Sequence, residues 1–206
     1  MTLALGVLAS GRGSNLQAIL DACARPGFPA RVAVVISDRE RAVALERSRA
    51  AGVEALWLNP KDFGDREAYD AALVRELEAR GVGLVCQAGW MRILSPVYIQ
   101  AFRGRALNIH PSLLPAFPGL HAQRQALEHG VKMSGATVHF TDEGVDTGPI
   151  IVQAAVPVEP GDTEDTLAAR ILTVEHRIYP EAIRLFAEGR LTIVGRKVVV
   201  NPEGRG

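Results

Sequence analysis

Short apolar runs alternating with helical repeats fill the first half of the chain, and this alternation limits the fold more than any other feature. Residues 3–9, 30–37, 53–58, 82–88 and 106–109 read as strands. Between them apolar residues return at helical spacing: Leu16, Ile19, Leu20 and Cys23, then residues 42–51 closed by Gly52, then Tyr69, Ala72, Leu73 and Leu77 within 65–80. Asp65 is the expected N-cap of that third helix and Gly81 its stop. A shorter helix is expected over 97–102. Strand–helix–strand units cross over right-handedly, so the pattern implies an α/β fold with a doubly wound, mainly parallel, Rossmann-like sheet.

The second half follows another rhythm. A helix is expected over 121–129, closed by Gly130, and then residues 134–141 alternate, with Ala136, Val138 and Phe140 on one side and Thr137, His139 and Thr141 on the other. A turn rich in acids and glycine leads into a strand over 150–158, an antiparallel partner. Thr163 opens the longest helix, which Pro180 should kink before Ala187; a terminal hairpin over 191–200 follows. The 206 residues suit one domain, with parts at about 1–100 and about 101–206.

Three turns after strand ends carry candidate chemistry, and in sheets of this kind ligands bind at that rim. The first is Ser10-Gly11-Arg12-Gly13-Ser14-Asn15. Glycines let the backbone approach a ligand, and a helix start favours an anion such as phosphate. A plain turn capped by Ser14 or Asn15 is the even alternative. No Lys-Ser or Lys-Thr makes it a Walker loop, and Leu16 stands where a third dinucleotide-fold glycine belongs, so a monophosphate fits better than a nicotinamide cofactor held by Asp38.

The second turn, Gly89 with Trp90, Met91, Arg92, Ile93 and Leu94, is unusually apolar and reads as helix packing or as the wall of a flat pocket. The third is the strand end Asn108-Ile109-His110, halted by Pro111, Pro115 and Pro118. Side chains two apart on a strand share a side, so Asn108 and His110 project together, an amide beside a group that carries a proton near neutral pH. Asp146 matters only if its loop folds back toward His110. Arg66 and Glu175, taken alone, read as solvated side chains.

Composition removes several classes. A net charge of +0 and a pI near 7.0 offer no general footprint for nucleic acid or an anionic membrane. Cys23 and Cys86 are far apart and in no metal-ligand spacing, so neither disulfide nor metal is expected. The N-terminal residues lack a signal peptide's basic flank and cleavage site, and no apolar run reaches spanning length, which points to a cytoplasmic protein acting on small molecules.

Asn108-Ile109-His110-Pro111-Ser112-Leu113-Leu114-Pro115, followed by Gly135-Ala136-Thr137-Val138-His139-Phe140-Thr141-Asp142-Glu143-Gly144-Val145-Asp146-Thr147-Gly148, resembles the signature of formyltransferases that use 10-formyltetrahydrofolate. Residues 10–19 and 115–127 resemble the branch of that family that acts on glycinamide ribonucleotide in purine synthesis. The resemblance implies a formyltransferase fold of Rossmann type and a direct transfer through a tetrahedral intermediate, with no metal. It implies Arg12, Gly13, Ser14 and Asn15 against the nucleotide, its phosphate on the last three, and Glu175 on its ribose. Arg66, Met91, Arg92, Ile93, Leu94, Asn108 and the loop Asp142, Glu143, Gly144, Val145 and Asp146 would hold the folate. Asn108, His110 and Asp146 would be the catalytic trio, Asn108 donating to the oxyanion and Asp146 raising the pKa of His110. Ala116 and Gln123 depart from the Lys and His that some members carry. An oligomer is compatible with all of this. A formyltetrahydrofolate deformylase, a hydrolase using Ser112 with His110, and a non-catalytic nucleotide-binding module are the alternatives.

Overall fold

From Leu5 onward both faces of β1 (Leu3–Leu8) are buried, as its uninterrupted apolar sequence requires of a central parallel strand. The structure, a computed structural model, describes residues 2–202, and the chain divides into two units, Met1–Leu107 and Asn108–Gly206.

In the first unit β1 pairs in parallel with β2 (Ala30–Ser37) and β4 (Leu84–Gln87), and β2 with β3 (Glu54–Trp57), giving the order β3-β2-β1-β4. Helices α1 (Ser14–Cys23) and α2 (Val43–Ala50) pack together, as do α3 (Arg66–Glu78) and α4 (Pro96–Ala101). The chain winds outward from β1 to β3 and then returns past β1 to β4. Right-handed crossovers taken in opposite directions put the two helix pairs on opposite faces, the doubly wound arrangement. Asp65 caps α3 through the Ala68 N–H at 2.7 Å, as the sequence implies. A 3-10 turn at Pro60–Asp62, which the periodicity does not announce, precedes it. Tyr69, Leu73 and Leu77 of α3 meet Val34, Ile36, Val85, Tyr98 and Phe102 in the unit's core.

The division between the units falls within β5 (Ala106–His110). In the second unit β6 (Met133–Phe140) and β7 (Ile150–Pro157) form the antiparallel pair, β9 (Lys197–Val200) joins β7 in parallel, and β8 (Leu191–Val194) closes an antiparallel hairpin with β9. The fold class is thus mixed α/β, mainly parallel, with antiparallel C-terminal strands. Helix α5 (Ala122–Glu128) is short. Helix α6 (Glu164–Ala187) starts in a reciprocal cap between Thr163 and Thr166, runs through Pro180 as one helix, and packs on β6 and β7. Leu167, Ile171, Ile178, Ala182 and Ile183 form its buried stripe. The alternation seen in β6 does not become one wet and one dry face. Every residue of β6 after Met133 is buried, so Thr137 and His139 are interior polar groups.

Candidate functional site

The end of β5 presents Asn108 and His110 to one carboxylate, that of Asp146. Strand period fixes the two side chains on one side; the loop after β6 returns to meet them. Asp146 Oδ2 lies 3.2 Å from His110 Nδ1 and accepts the Gly119 N–H at 2.8 Å. Its Oδ1 accepts from the Asn108 amide at 3.2 Å. The Asp146 backbone is left-handed, with φ 55°, an uncommon state for a residue with a side chain and one that its contacts must hold. The catalytic trio expected from the sequence is therefore assembled within the second unit.

His110 is only 5% exposed, and its other ring nitrogen, Nε2, lies 2.8 Å from the Phe117 carbonyl. Burial pushes the His110 pKa down from its ordinary value; the Phe117 carbonyl and the Asp146 carboxylate push up but do not restore it, and His139 adds to the fall. The expected upward push from Asp146 is present, yet the net displacement is the reverse, because burial outweighs it, and that depth does not show in a position at a strand end. Burial works to raise the Asp146 carboxyl, but the His139 ring, the Gly119 N–H and His110 outweigh it and hold that group below its usual value.

The proline-rich turn after β5 is fixed by a buried hydroxyl. Thr137 Oγ1 donates to the Ser112 carbonyl at 2.7 Å and accepts from the Leu114 N–H and from Gln153 Nε2, at 3.1 and 2.9 Å. Gln153 Nε2 also reaches the Leu114 carbonyl at 2.9 Å. Thr137 and Gln153 so brace the segment whose Phe117 carbonyl and Gly119 N–H touch His110 and Asp146. Ser112 Oγ donates to the Ala116 carbonyl at 2.6 Å, and not to His110. That removes the serine-hydrolase pairing.

Sequence alone gives His139 no role. It is 2% exposed, with Nδ1 2.8 Å from the Phe140 carbonyl, and Nε2 3.3 Å from Asn108 Nδ2 and 3.5 Å from Asp146 Oδ1. The available signal was a histidine on the polar side of a strand directly before the Asp146 loop. Within that loop Asp142 Oδ1 accepts from the Gly144 N–H and the Thr147 hydroxyl, at 3.1 and 2.6 Å, while Glu143, Gly144 and Val145 are exposed.

In the first unit the Gly-rich turn is shaped by main chain. Gly13, at φ 69°, is the N-cap of α1, and a Cβ there would lie 2.9 Å from the backbone of Ala44 in α2. Only glycine meets both demands. No side chain caps α1, so the expected cap by Ser14 or Asn15 is not formed: helix α1 begins at Ser14 itself, and Gly13 takes the cap position. Helix α2 holds the turn through the Ala44 N–H to the Gly11 carbonyl, at 3.1 Å, and Arg47 Nε to the Arg12 carbonyl, at 2.9 Å. Ser10 ties it to the second candidate turn, donating its N–H to the Gly89 carbonyl at 3.0 Å and accepting the Met91 N–H on Oγ at 3.1 Å.

Met91 and Ile93 are 64% and 66% exposed, and Arg92 lies over the Tyr69 ring at 4.8 Å. Arg66 is exposed in the first turn of α3, as its sequence position suggests. Glu175 contradicts the solvated reading: it is 5% exposed, because the stripe of α6 is wider than the residues that define its periodicity. Among the described residues no helix is long and apolar enough to cross a membrane, and no cluster of three His, Cys, Asp or Glu is arranged to hold a metal ion.

A buried histidine and carboxylate beside an amide, at a strand end in a doubly wound fold, define a site for acid–base group transfer. Residues 4–183 match the formyl transferase family, and the chain belongs to it. Over 185 residues it is 51% identical to the phosphoribosylglycinamide formyltransferase of Escherichia coli, spanning 90% of this chain and 87% of that one. It is 52% identical over 191 residues to the trifunctional purine biosynthetic protein adenosine-3 of Drosophila melanogaster, covering 92% of this chain but only 14% of that protein's length. The crystal structure of glycinamide ribonucleotide transformylase 1 from Symbiobacterium toebii superposes with a TM-score of 0.96 at 63% identity, over 97% of this chain and 94% of that one.

Proposed function

We propose that this protein transfers the formyl group of 10-formyltetrahydrofolate to the amine of glycinamide ribonucleotide, giving formylglycinamide ribonucleotide and tetrahydrofolate. The observation that carries the reading is the buried His110–Asp146 pair at 3.2 Å, in a chain of the formyl transferase family. The relatives named for glycinamide ribonucleotide supply the acceptor.

The amine attacks the formyl carbon, a C–N bond forms, and the carbonyl oxygen takes up negative charge. His110, protonated in the complex, stabilises that oxygen and is the general acid. The attacking nitrogen loses a proton, the folate nitrogen gains one, and breakage of the old C–N bond releases tetrahydrofolate. Asp146 fixes the imidazole and balances its charge. A histidine whose pKa is lowered by burial gives up its proton more readily than a solvent-exposed one, which suits an acid that must protonate a departing amine.

Arg12, Gly13, Ser14 and Asn15 hold the nucleotide, the last three taking its phosphate against the uncapped start of α1, where main-chain N–H groups and the helix dipole favour an anion. Glu175 binds the ribose. Arg66, Met91, Arg92, Ile93, Leu94 and the 142–146 loop hold the folate, the exposed apolar side chains of Met91 and Ile93 being suited to a flat heterocycle. The chain acts as one formyltransferase domain on these two small molecules, in the cytoplasm, without nucleic acid or membrane.

The test is to measure folate and formate production from 10-formyltetrahydrofolate with and without glycinamide ribonucleotide. Loss of the formyl group only when nucleotide is present, with no free formate, is the expected result. Equal formate in both reactions would make the protein a deformylase; no turnover in either would leave a binding module.

A further inference from the structure

We propose that His139 is a positioning residue for the formyl transfer, holding the Asn108 amide in one orientation by acting as a neutral hydrogen-bond acceptor through Nε2. This deepens the function proposed above and rests on it.

His139 faces Asn108 with Nε2 and a main-chain carbonyl with Nδ1. Its Nδ1 lies 2.8 Å from the Phe140 carbonyl, which can only accept, so Nδ1 carries a proton. Gly148 approaches the same carbonyl so closely that a Cβ there would collide with it, and the Phe140 N–H donates to the Pro149 carbonyl at 2.9 Å. With Nδ1 protonated, a neutral ring leaves Nε2 a bare lone pair.

The Asn108 amide then has two acceptors on one side, His139 Nε2 at 3.3 Å and Asp146 Oδ1 at 3.2 Å. Only its NH2 group satisfies both, one hydrogen to each. Turned over, the amide oxygen would face a carboxylate oxygen and a lone pair, three acceptors together in a buried cluster. A proton on Nε2 would meet the Asn108 NH2 at 3.3 Å, and its contact with Asp146 Oδ1 is the longer one, 3.5 Å.

Charge points the same way. The Asp146 carboxylate faces both rings, His110 at 3.2 Å and His139 at 3.5 Å, and can balance one positive charge, that of His110 when the reaction calls on its proton. A second cation at His139, itself 2% exposed, would leave a buried net charge.

The consequence concerns Asn108. Both of its hydrogens are engaged behind it, so the atom it offers to the reacting groups is Oδ1, an acceptor. It holds an N–H of the attacking amine, whose nitrogen gains positive charge as the bond forms. The donor role expected of Asn108 at the oxyanion would require it to abandon His139 or Asp146.

Nitrogen-15 NMR of the substrate-free wild-type protein at neutral pH reads the state of His139 directly. The expected spectrum shows a proton on Nδ1, none on Nε2, and a coupling across the hydrogen bond from Asn108 Nδ2 to His139 Nε2. A proton on Nε2 overturns the proposal. Kinetics supply the second arm. His139→Phe keeps the ring shape without nitrogen and should lower kcat about 10²-fold, the scale of a misplaced catalytic group, with KM for the nucleotide nearly unchanged. His139→Gln, whose amide oxygen can accept from Asn108, should recover most of that loss. A folded His139→Phe protein with wild-type kcat overturns the proposal as surely as the wrong tautomer does. Failure of the wild-type protein to transfer formyl groups is a different result: it removes the proposed function, while the tautomer is measured with no substrate present.

Discussion

The turn after β1 and the turn after β5 both follow a strand and both are candidate binding elements, yet they are built from different materials. At Gly11 to Asn15 the shape is made by the main chain and by a missing side chain: Gly13 takes a left-handed φ of 69° against the backbone of Ala44, and α1 starts without a side-chain cap. At Asn108 and His110 the shape is made by buried side chains that converge on Asp146. A main-chain site binds an ion of fixed shape and charge, and needs no titrating group to do so. A side-chain site can move a proton, but each polar atom in it requires a partner because water has been removed.

Substitutions should therefore divide along the same line, with turnover falling for one set and nucleotide affinity for the other. The largest effect is expected for His110→Ala. General acid–base groups contribute about 10²- to 10⁴-fold, so steady-state kcat should fall by that much with the thermal unfolding curve little changed. Near-normal turnover would remove His110 from the role and leave the side-chain site without chemistry. Asp146→Asn should also depress kcat, and it tests the coupling separately. The carboxylate is one of the groups that push the His110 pKa upward, so its loss should move the His110 titration, followed by NMR, further down. An unmoved titration would mean that burial alone governs the imidazole.

On the main-chain side, Gly13→Ala combines a disfavoured φ with a Cβ 2.9 Å from Ala44. It should destabilise the protein by about 1–3 kcal/mol in denaturant melts and raise KM for glycinamide ribonucleotide more than it lowers kcat. Ser14→Asp leaves the backbone alone and adds a like charge beside the proposed phosphate site. We expect KM for the nucleotide to rise about tenfold, since a repulsion of roughly 1.4 kcal/mol corresponds to that factor. An unchanged KM in both variants would move the phosphate elsewhere.

How far the sequence disclosed these two places follows from the same difference. The strand–helix alternation, the Asp65 cap and the period-two placement of Asn108 with His110 are local properties, and all three are present in the structure. The glycines of the first turn announced it, though not which residue would cap α1. His139 was visible only as the polar member of an alternating strand; its burial depends on what covers β6, which no local pattern encodes. The same holds for Glu175 and for the downward displacement of His110, both consequences of depth. Asp146 entered through resemblance to a family, because a loop from 38 residues further along the chain has to return to β5, as its hydrogen bond to Asn108 records. Residues whose role is set by their own neighbours in sequence are readable, and those set by tertiary packing are not.

The smallest expected effect, the response of stability to acid, probes the side-chain site in the absence of substrate. Within this site two groups contribute, and their signs agree. The His110 pKa in the folded protein lies below its ordinary 6.5, so as pH falls through that value the unfolded chain takes up a proton before the folded one does, and stability is lost. The Asp146 pKa lies below its ordinary 3.8, so its contribution is whole above that value and disappears as pH falls through it toward the folded-state pKa. Each group can change stability by at most about 1.4 kcal/mol per pH unit within its own window. Denaturant midpoints measured from pH 8 to pH 3 should show a first decline beginning near pH 6.5 that His110→Gln flattens. A second, beginning near pH 4, should be reduced in Asp146→Asn. If Gly13→Ala, rather than the His110 variant, altered the first decline, the acid-sensitive element would belong to the first unit, and the contrast between a main-chain site and a titrating one would fail.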